Sequence, residues 1–292
     1  MAGKRRRITE VAVESVIRLS GLAAVIFVIL IFLLLLRDGL PVFRYTGVTE
    51  FLFGRDWFPL SGKFGILPLI LGSLLVTAGA VVIAVPLGTA VSVYIAEVAS
   101  APVKEVLKPA VETLAAIPSV VIGFIGFVVL APYVKQIFDL PTGLTAFTGS
   151  LMLAFMALPT IVSIAEDAIT AVPLGYRAAS LALGATRWQT IRRVVVPAAR
   201  SGIFAGVMLG LGRVIGETMT VLMVTGNAAV IPHAIFQPVR TMTATIAAEM
   251  GETVHDSAHY FSLFAIGLVL FVMTFFINVA AGIALRRTGG RR

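Results

Sequence analysis

The chain has 292 residues, 58% of them hydrophobic and only 13% charged, with a mean hydropathy of +0.99. Soluble domains carry about a quarter charged residues, so this apolar excess must face lipid or other helices. The net charge of +8 gathers at the two ends, in Lys4, Arg5, Arg6 and Arg7 and in Arg286, Arg287, Arg291 and Arg292, which argues against nucleic acid as a partner and for anionic lipid headgroups. Cysteine is absent, so disulfides, thiol catalysis and cysteine metal sites are excluded.

The first apolar run, 19–36, follows a basic segment, 1–18. It is longer than the apolar part of a secretory signal, and Arg37-Asp38 stand where small cleavage-site residues belong, so it reads as span one. Further spans are expected at 66–96, where Pro86 implies a kink or break, and at 111–134, with Pro118 in its first half. Three more follow at 146–165, with Pro159 near its end, at 201–225 and at 260–285. Each is near the ~20 residues that cross a hydrocarbon core. Lysine and arginine favour the segments 1–18, 97–108, 166–200 and 286–292, whereas the 226–259 loop sets Arg240 against Glu249, Glu252 and Asp256. The positive-inside rule then puts both termini in the cytoplasm. The expectation is an all-α membrane protein of about six transmembrane helices, a single domain over 19–285, without internal repeats or linkers.

The segment RAASLALGATRWQTIRRVVVP, Arg177 to Pro197, interrupts this apolar sequence with polar and basic residues. Gly184 suits the left-handed turn that ends one short helix and starts another. Pro197, just before the next apolar run, suits a helix first turn. Leu181, Leu183, Ala185 and Trp188 offer apolar surface on a loop otherwise exposed to water, which calls for a partner to cover it.

The chain lacks an energy source of its own. A phosphate-cradling loop needs Gly-Lys followed by Ser or Thr, and the two Gly-Lys pairs, Gly3-Lys4 and Gly62-Lys63, are followed by Arg5 and Phe64. Gly210 and Gly212 make a partial dinucleotide fingerprint that fails at Ile215. The better reading is helix packing: Gly202, Gly206 and Gly210 recur every four residues, as do Gly212 and Gly216, so span five is expected to be a central, protein-covered helix. His233, His255 and His259 lie in or beside the last outer loop and read as a solvated face, so no metal and no cofactor is expected. Arg213 and Glu217 are opposite charges four apart within a span, and with Gly202, Gly206, Gly210 and Thr220 they fall on one helical stripe. Charge inside a bilayer faces a cavity or a partner, and a guanidinium fork suits an oxyanion. Arg213, Glu217 and Thr220 are therefore the expected substrate pathway, with Glu217 holding Arg213 when the pathway is empty.

Ala178-Ala179, Gly184 and Val194-x-Val196-Pro197 resemble the pattern E-A-A-x3-G-x9-I-x-L-P of the permease subunits of binding-protein-dependent ABC importers. Trp57-Phe58-Pro59, FGILPLILGSLLVT from Phe64, AIPSVVIGF from Ala116, GLGRVIGETMTVLMVTGN from Gly210 and TMTATIAAEMGE from Thr241 narrow the resemblance to phosphate importer permeases of the PstC type. The resemblance implies a MetI-like fold and a heterodimer with a second homologous permease subunit. It also implies two cytoplasmic ATPase subunits, docked on Arg177, Ala178, Ala179, Gly184, Trp188 and Pro197, and an extracytoplasmic phosphate-binding protein. Glu249, Glu252 and Asp256 are the residues expected to meet that binding protein. One departure stands out: the family's acidic coupling residue is Ala178 here, with Arg177, or Glu166 and Asp167, as substitutes. Permeases for sulfate, molybdate or phosphonate, and an ATP-independent secondary transporter, are the alternatives. The latter calls for repeats and several intramembrane carboxylates, and Glu217 is the one found.

Overall fold

The computed structural model describes the backbone of residues 2–289 and the side chains of residues 13–283, so the basic clusters of the segments 1–18 and 286–292 fall outside the side chains described. Among the described residues six helical stretches are long and apolar enough to cross a membrane: Val13–Arg44, Leu67–Val98, Ser119–Ile137, Ala146–Thr170, Arg187–Ile215 and Ala258–Ile283.

Helix α1 (Ala2–Gly39) is apolar on every side over residues 19–36 and packs against the last helix, α13 (Ala258–Gly289), with Phe32 and Phe271 in ring contact. A helix apolar all round belongs in lipid. A short helix, α2 (Val48–Phe53), and a two-stranded hairpin, β1 (Trp57–Phe58) with β2 (Lys63–Phe64), follow. The strands are antiparallel with Trp57 opposite Phe64, and Gly62 makes their turn at φ +72°. This hairpin is an addition to the all-helical expectation. Phe51, Trp57, Ile66 and Leu69 join Met242, Leu263 and Ile266 in a core of their own at this end of the molecule.

Helix α3 (Leu67–Val93) stays continuous through Pro86 and closes in a π-turn, Tyr94–Val98. Helix α4 (Ala101–Ala115) has no fully buried residue. Span three, expected from 111, begins instead at Ser119. The ring of Pro118 disfavours helical backbone at Ile117, so the chain breaks at Ala116 and residues 111–115 belong to α4. The span itself is α5 (Ser119–Ile125), a π-turn Gly126–Leu130, and α6 (Ala131–Ile137).

Helix α7 (Ala146–Thr170) is the centre of the fold. It packs against α3 on one side and α10 on the other, and 61% of its most apolar stretch is buried, against 22% for the fifth span. The expected central helix was span five; the structure gives that place to span four. Two short helices, α8 (Leu174–Ala182) and α9 (Arg187–Thr190), carry the chain to α10 (Val196–Ile215). Pro197 stands in the first turn of α10, and α9, a π-turn at Ile191–Val195 and α10 run on as one helical stretch. A proline here would orphan a carbonyl of an α-helix, and the π-turn, in which Val196 N–H bonds the Ile191 carbonyl, accommodates it. The same device sits before Pro132, where Ala131 N–H bonds the Gly126 carbonyl.

Span five also ends early. Helix α10 stops at Ile215, and after a break at Gly216–Thr218 the chain forms the separate α11 (Met219–Val224). The loop 226–259 folds back onto the membrane domain, with α12 (Met242–Glu249) packed on α3, α11 and α13.

The two glycine series divide by face. A Cβ on Gly202 would strike Ala168, one on Gly206 would sit 3.2 Å from the Ile161 carbonyl, and one on Gly210 would sit 2.6 Å from the Ile161 side chain. These three let α10 lie against α7. Gly212 meets nothing within 4 Å, and Gly216 only the Gly212 carbonyl at 3.7 Å, so neither packs against another helix of this chain. They lie on the opposite side of the helix, which a count of spacings does not distinguish.

Candidate functional site

The two helix breaks lie side by side. The Thr220 hydroxyl, at the start of α11, donates to the Ser119 carbonyl at 3.0 Å, at the start of α5. Gly123 of α5 permits this approach, since a Cβ there would come within 3.0 Å of the Thr220 Cα. Across the same gap Arg213 Nη2 reaches the Ala115 carbonyl at 3.4 Å, the last residue of α4. Thr243 of α12 donates to the Glu217 carbonyl at 2.8 Å. Irregular backbone at membrane depth persists only where protein covers it or where it lines a wet cavity. Here Arg213 and Thr243 satisfy the Ala115 and Glu217 carbonyls at the breaks, and Thr220 ties α11 to the start of α5.

The expected stripe of Arg213, Glu217 and Thr220 is not formed, because α10 ends before Glu217. Arg213 and Glu217 form no ion pair; the Glu217 carboxylate instead accepts the Thr220 backbone N–H at 3.1 Å and caps α11. Thr220 is fully buried, its hydroxyl also 3.2 Å from the Met156 sulfur, so it fastens two helices and does not face a pathway. Arg213 alone remains half-buried with most of its N–H donors uncommitted.

In the loop 166–200, Gly184 takes φ +83°, and Thr186 with Gln189 forms a reciprocal capping box for α9. The Ser180 and Thr190 hydroxyls, 2.9 Å apart, tie α8 to α9. Arg177 is a staple: its Nη2 lies 2.6 Å from Glu97 and 3.0 Å from the Ile169 carbonyl, its Nε 3.1 Å from Glu97, and its Nη1 donates to the Val172 carbonyl. It thus clamps α8 to the ends of α3 and α7 and has little left for a partner. Glu166 and Asp167 are spoken for as well, by Lys108 at 2.7 and 2.9 Å. Its hydrogen bonds to Asp167 and then Glu166 hold the Lys108 ammonium well above the usual lysine range. None of the three substitutes for the missing acid at Ala178 is free. Exposed instead are Ala178, Ala179 and the apolar Leu174, Leu183 and Trp188, of which Leu183 is 90% accessible.

At the other end Glu249, expected on a docking surface, is the hub of an internal cluster. It accepts from Arg240 at 2.5 Å, from the Trp57 indole at 3.2 Å to each oxygen, and lies 2.8 Å from His259 Nε2. This draws His259 out of the solvated face as well. Glu252, His255 and Asp256 are exposed. No short-range spacing announces these contacts: Trp57 and Glu249 are 192 residues apart, Arg177 and Glu97 are 80 apart.

Six spans, a central α7, broken helices and two short helices on one face define the membrane subunit of an ABC importer. The chain accordingly belongs to the family of binding-protein-dependent transport system inner membrane components, whose pattern matches residues 88–290. It is 40% identical over 289 residues to a probable ABC transporter permease protein, YqgH, of Bacillus subtilis, covering 97% of this chain and 94% of that one. It is 38% identical over 288 residues to the phosphate transport system permease protein PstC of Mesorhizobium japonicum, covering 89% and 88%. Among solved structures, a bacterial alginate ABC transporter in complex with a pentasaccharide-bound periplasmic protein matches at TM-score 0.64 and 19% identity over 92% of this chain and 93% of that one. An inward-facing MetNI methionine ABC transporter matches at TM-score 0.57 and 20% identity, covering 77% and 94%. The protein is a multi-pass permease subunit of a prokaryotic inner membrane, with a MetI-like permease fold.

Proposed function

We propose that this chain is a permease half of an ATP-driven phosphate importer, paired with a second, homologous permease subunit. Two cytoplasmic ATPase subunits and an extracytoplasmic phosphate-binding protein complete the assembly. The curated relatives named as phosphate permeases support the substrate, and the lysine and arginine bias supports cytoplasmic termini and a cytoplasmic 166–200 loop. Leu183, exposed beside the Gly184 turn, supplies apolar surface that an ATPase groove would cover. Exposed Glu252 and Asp256 are the carboxylates open to the binding protein.

The observation that carries the reading is Arg213. It is a half-buried guanidinium at the crossing of two broken helices, held by one long hydrogen bond and otherwise uncommitted. Its fork can offer paired donors to an oxyanion that arrives stripped of water. Glu217 acts beside it as the cap of α11. The test is Arg213→Gln, followed by uptake of radiolabelled phosphate and by ATP hydrolysis of the purified assembly. Loss of one charge-assisted contact of about 1.5–3 kcal/mol slows uptake by about tenfold to a hundredfold or more, with assembly and ATP hydrolysis retained. Normal uptake, or loss that merely follows failed assembly, would overturn the role of Arg213.

A further inference from the structure

A groove of about 640 Å³ opens where α3 and α10 diverge, on the side of the molecule that carries α9. Its walls are apolar: Pro86, Ala90 and Val93 of α3 face Val196 of α10. From Val85 to Tyr94 it follows α3 for about 14 Å at 1.5 Å per residue. That is close to half of a hydrocarbon core about 30 Å thick, the depth of one leaflet. The character changes at the α9 end. Tyr94 and Trp188 line the mouth, and both are exposed, as aromatic side chains at a membrane–water boundary are. Arg192 lines the same mouth, with Arg193 and Arg187 exposed beside it. Arg192 and Arg193 make no ion pair among the described residues, and Glu97 is already held by Arg177.

We propose that this groove is a binding site for one anionic glycerophospholipid. An acyl chain lies along α3 between Pro86 and Val93, the aromatic pair sits at the level of the ester groups, and the phosphodiester meets Arg192. The charge argues for this occupant: unpaired guanidinium groups beside an acyl-length apolar wall match an anionic headgroup on its own chain, and not a zwitterionic or uncharged one. The site lies at the far end of α10 from Arg213, so it does not depend on the pathway assigned above. It bears on α9, and through α9 on the angle of the whole 166–200 loop.

The purified assembly in detergent, given phosphatidylglycerol or phosphatidylcholine, reports the bound lipid by native mass spectrometry. Phosphatidylglycerol should be retained in preference, and Arg192→Gln should lower its retention about fivefold, as expected for one basic residue at a membrane surface. Ala90→Phe, which fills the wall, should remove the lipid while leaving the headgroup charges in place. A photo-crosslinker at position 192 should give an adduct with lipid. Equal retention of both lipids, retention unchanged by Arg192→Gln, an adduct on a cytoplasmic subunit in place of lipid, or equal thermal protection by inorganic phosphate in lipid-free detergent would each overturn the proposal.

Discussion

Arg177 and Arg213 are both half-buried arginines set beside helix ends, yet they use their donors in opposite ways. Arg177 reaches one carboxylate and two backbone carbonyls, and these join three helices at the base of the 166–200 loop. Arg213 has a single bond, of 3.4 Å, to the Ala115 carbonyl. A saturated guanidinium is architecture. An unsaturated one, kept inside a membrane protein against the cost of its charge, is available to something that comes and goes. Sequence alone offers both to something outside the chain, Arg177 to an ATPase subunit and Arg213 to the substrate.

Stability measurements separate them. Arg177→Gln strands Glu97 and should cost about 3 kcal/mol in denaturant unfolding of the purified chain; adding Glu97→Gln should recover part of that loss. Recovery of nothing would mean that the two backbone carbonyls, and not the ion pair, carry the staple. Gly210→Val should cost about 2 kcal/mol by pressing on Ile161, whereas Gly212→Ala, in open space, should gain about 0.5–1 kcal/mol. Similar costs at both positions would show that the outer face of α10 is covered after all. At the crossing, Glu217→Ala should cost about 1 kcal/mol through the lost cap of α11, while Glu217→Gln, which keeps an acceptor for the Thr220 N–H, should cost less. Arg213→Gln should cost under about 1 kcal/mol, and a larger loss would make Arg213 a second staple.

The smallest effect concerns pH. Lys108 is held above its ordinary range by Asp167 and Glu166, so its contribution is complete below the unfolded lysine pKa of about 10.4 and is lost as pH rises through the higher folded value. The difference in unfolding free energy between the native chain and Lys108→Met should therefore stay flat from about pH 6 to about pH 9. A slope in that window would assign the contact to another titrating group.

The spans were legible because each is a long apolar run, and Gly184 was legible because few residues accept a left-handed turn. Helix interruptions were harder. Pro118 marked a true break, yet Pro86 and Pro159 sit in unbroken helices and Pro197 follows a π-turn, so proline alone does not locate a break. At the stop after Ile215 the freed Glu217 carbonyl is received by Thr243, from α12 further along the chain. The same holds for Glu249: its exposure was inferred from loop composition, but Trp57, Arg240 and His259 reach it through tertiary folding. Periodicity sees one helix at a time, and these contacts need two or three.

The π-turn at Ile191–Val195 has a geometric consequence. It holds one residue more than an α-helical turn, and one residue is about 100° of rotation about the axis. The face of α10 that lies on α7 and the direction in which Trp188 points are therefore phased by a residue count. Deleting a single position there would close the wide turn to an α-helical one with the flanking faces kept in phase, whereas deleting one from an α-helical turn of α10 would swing Trp188 and the turn at Gly184 by about 100° around the rod. The bearing of the loop toward whatever meets it is written in the residue count of that rod and in no single side chain.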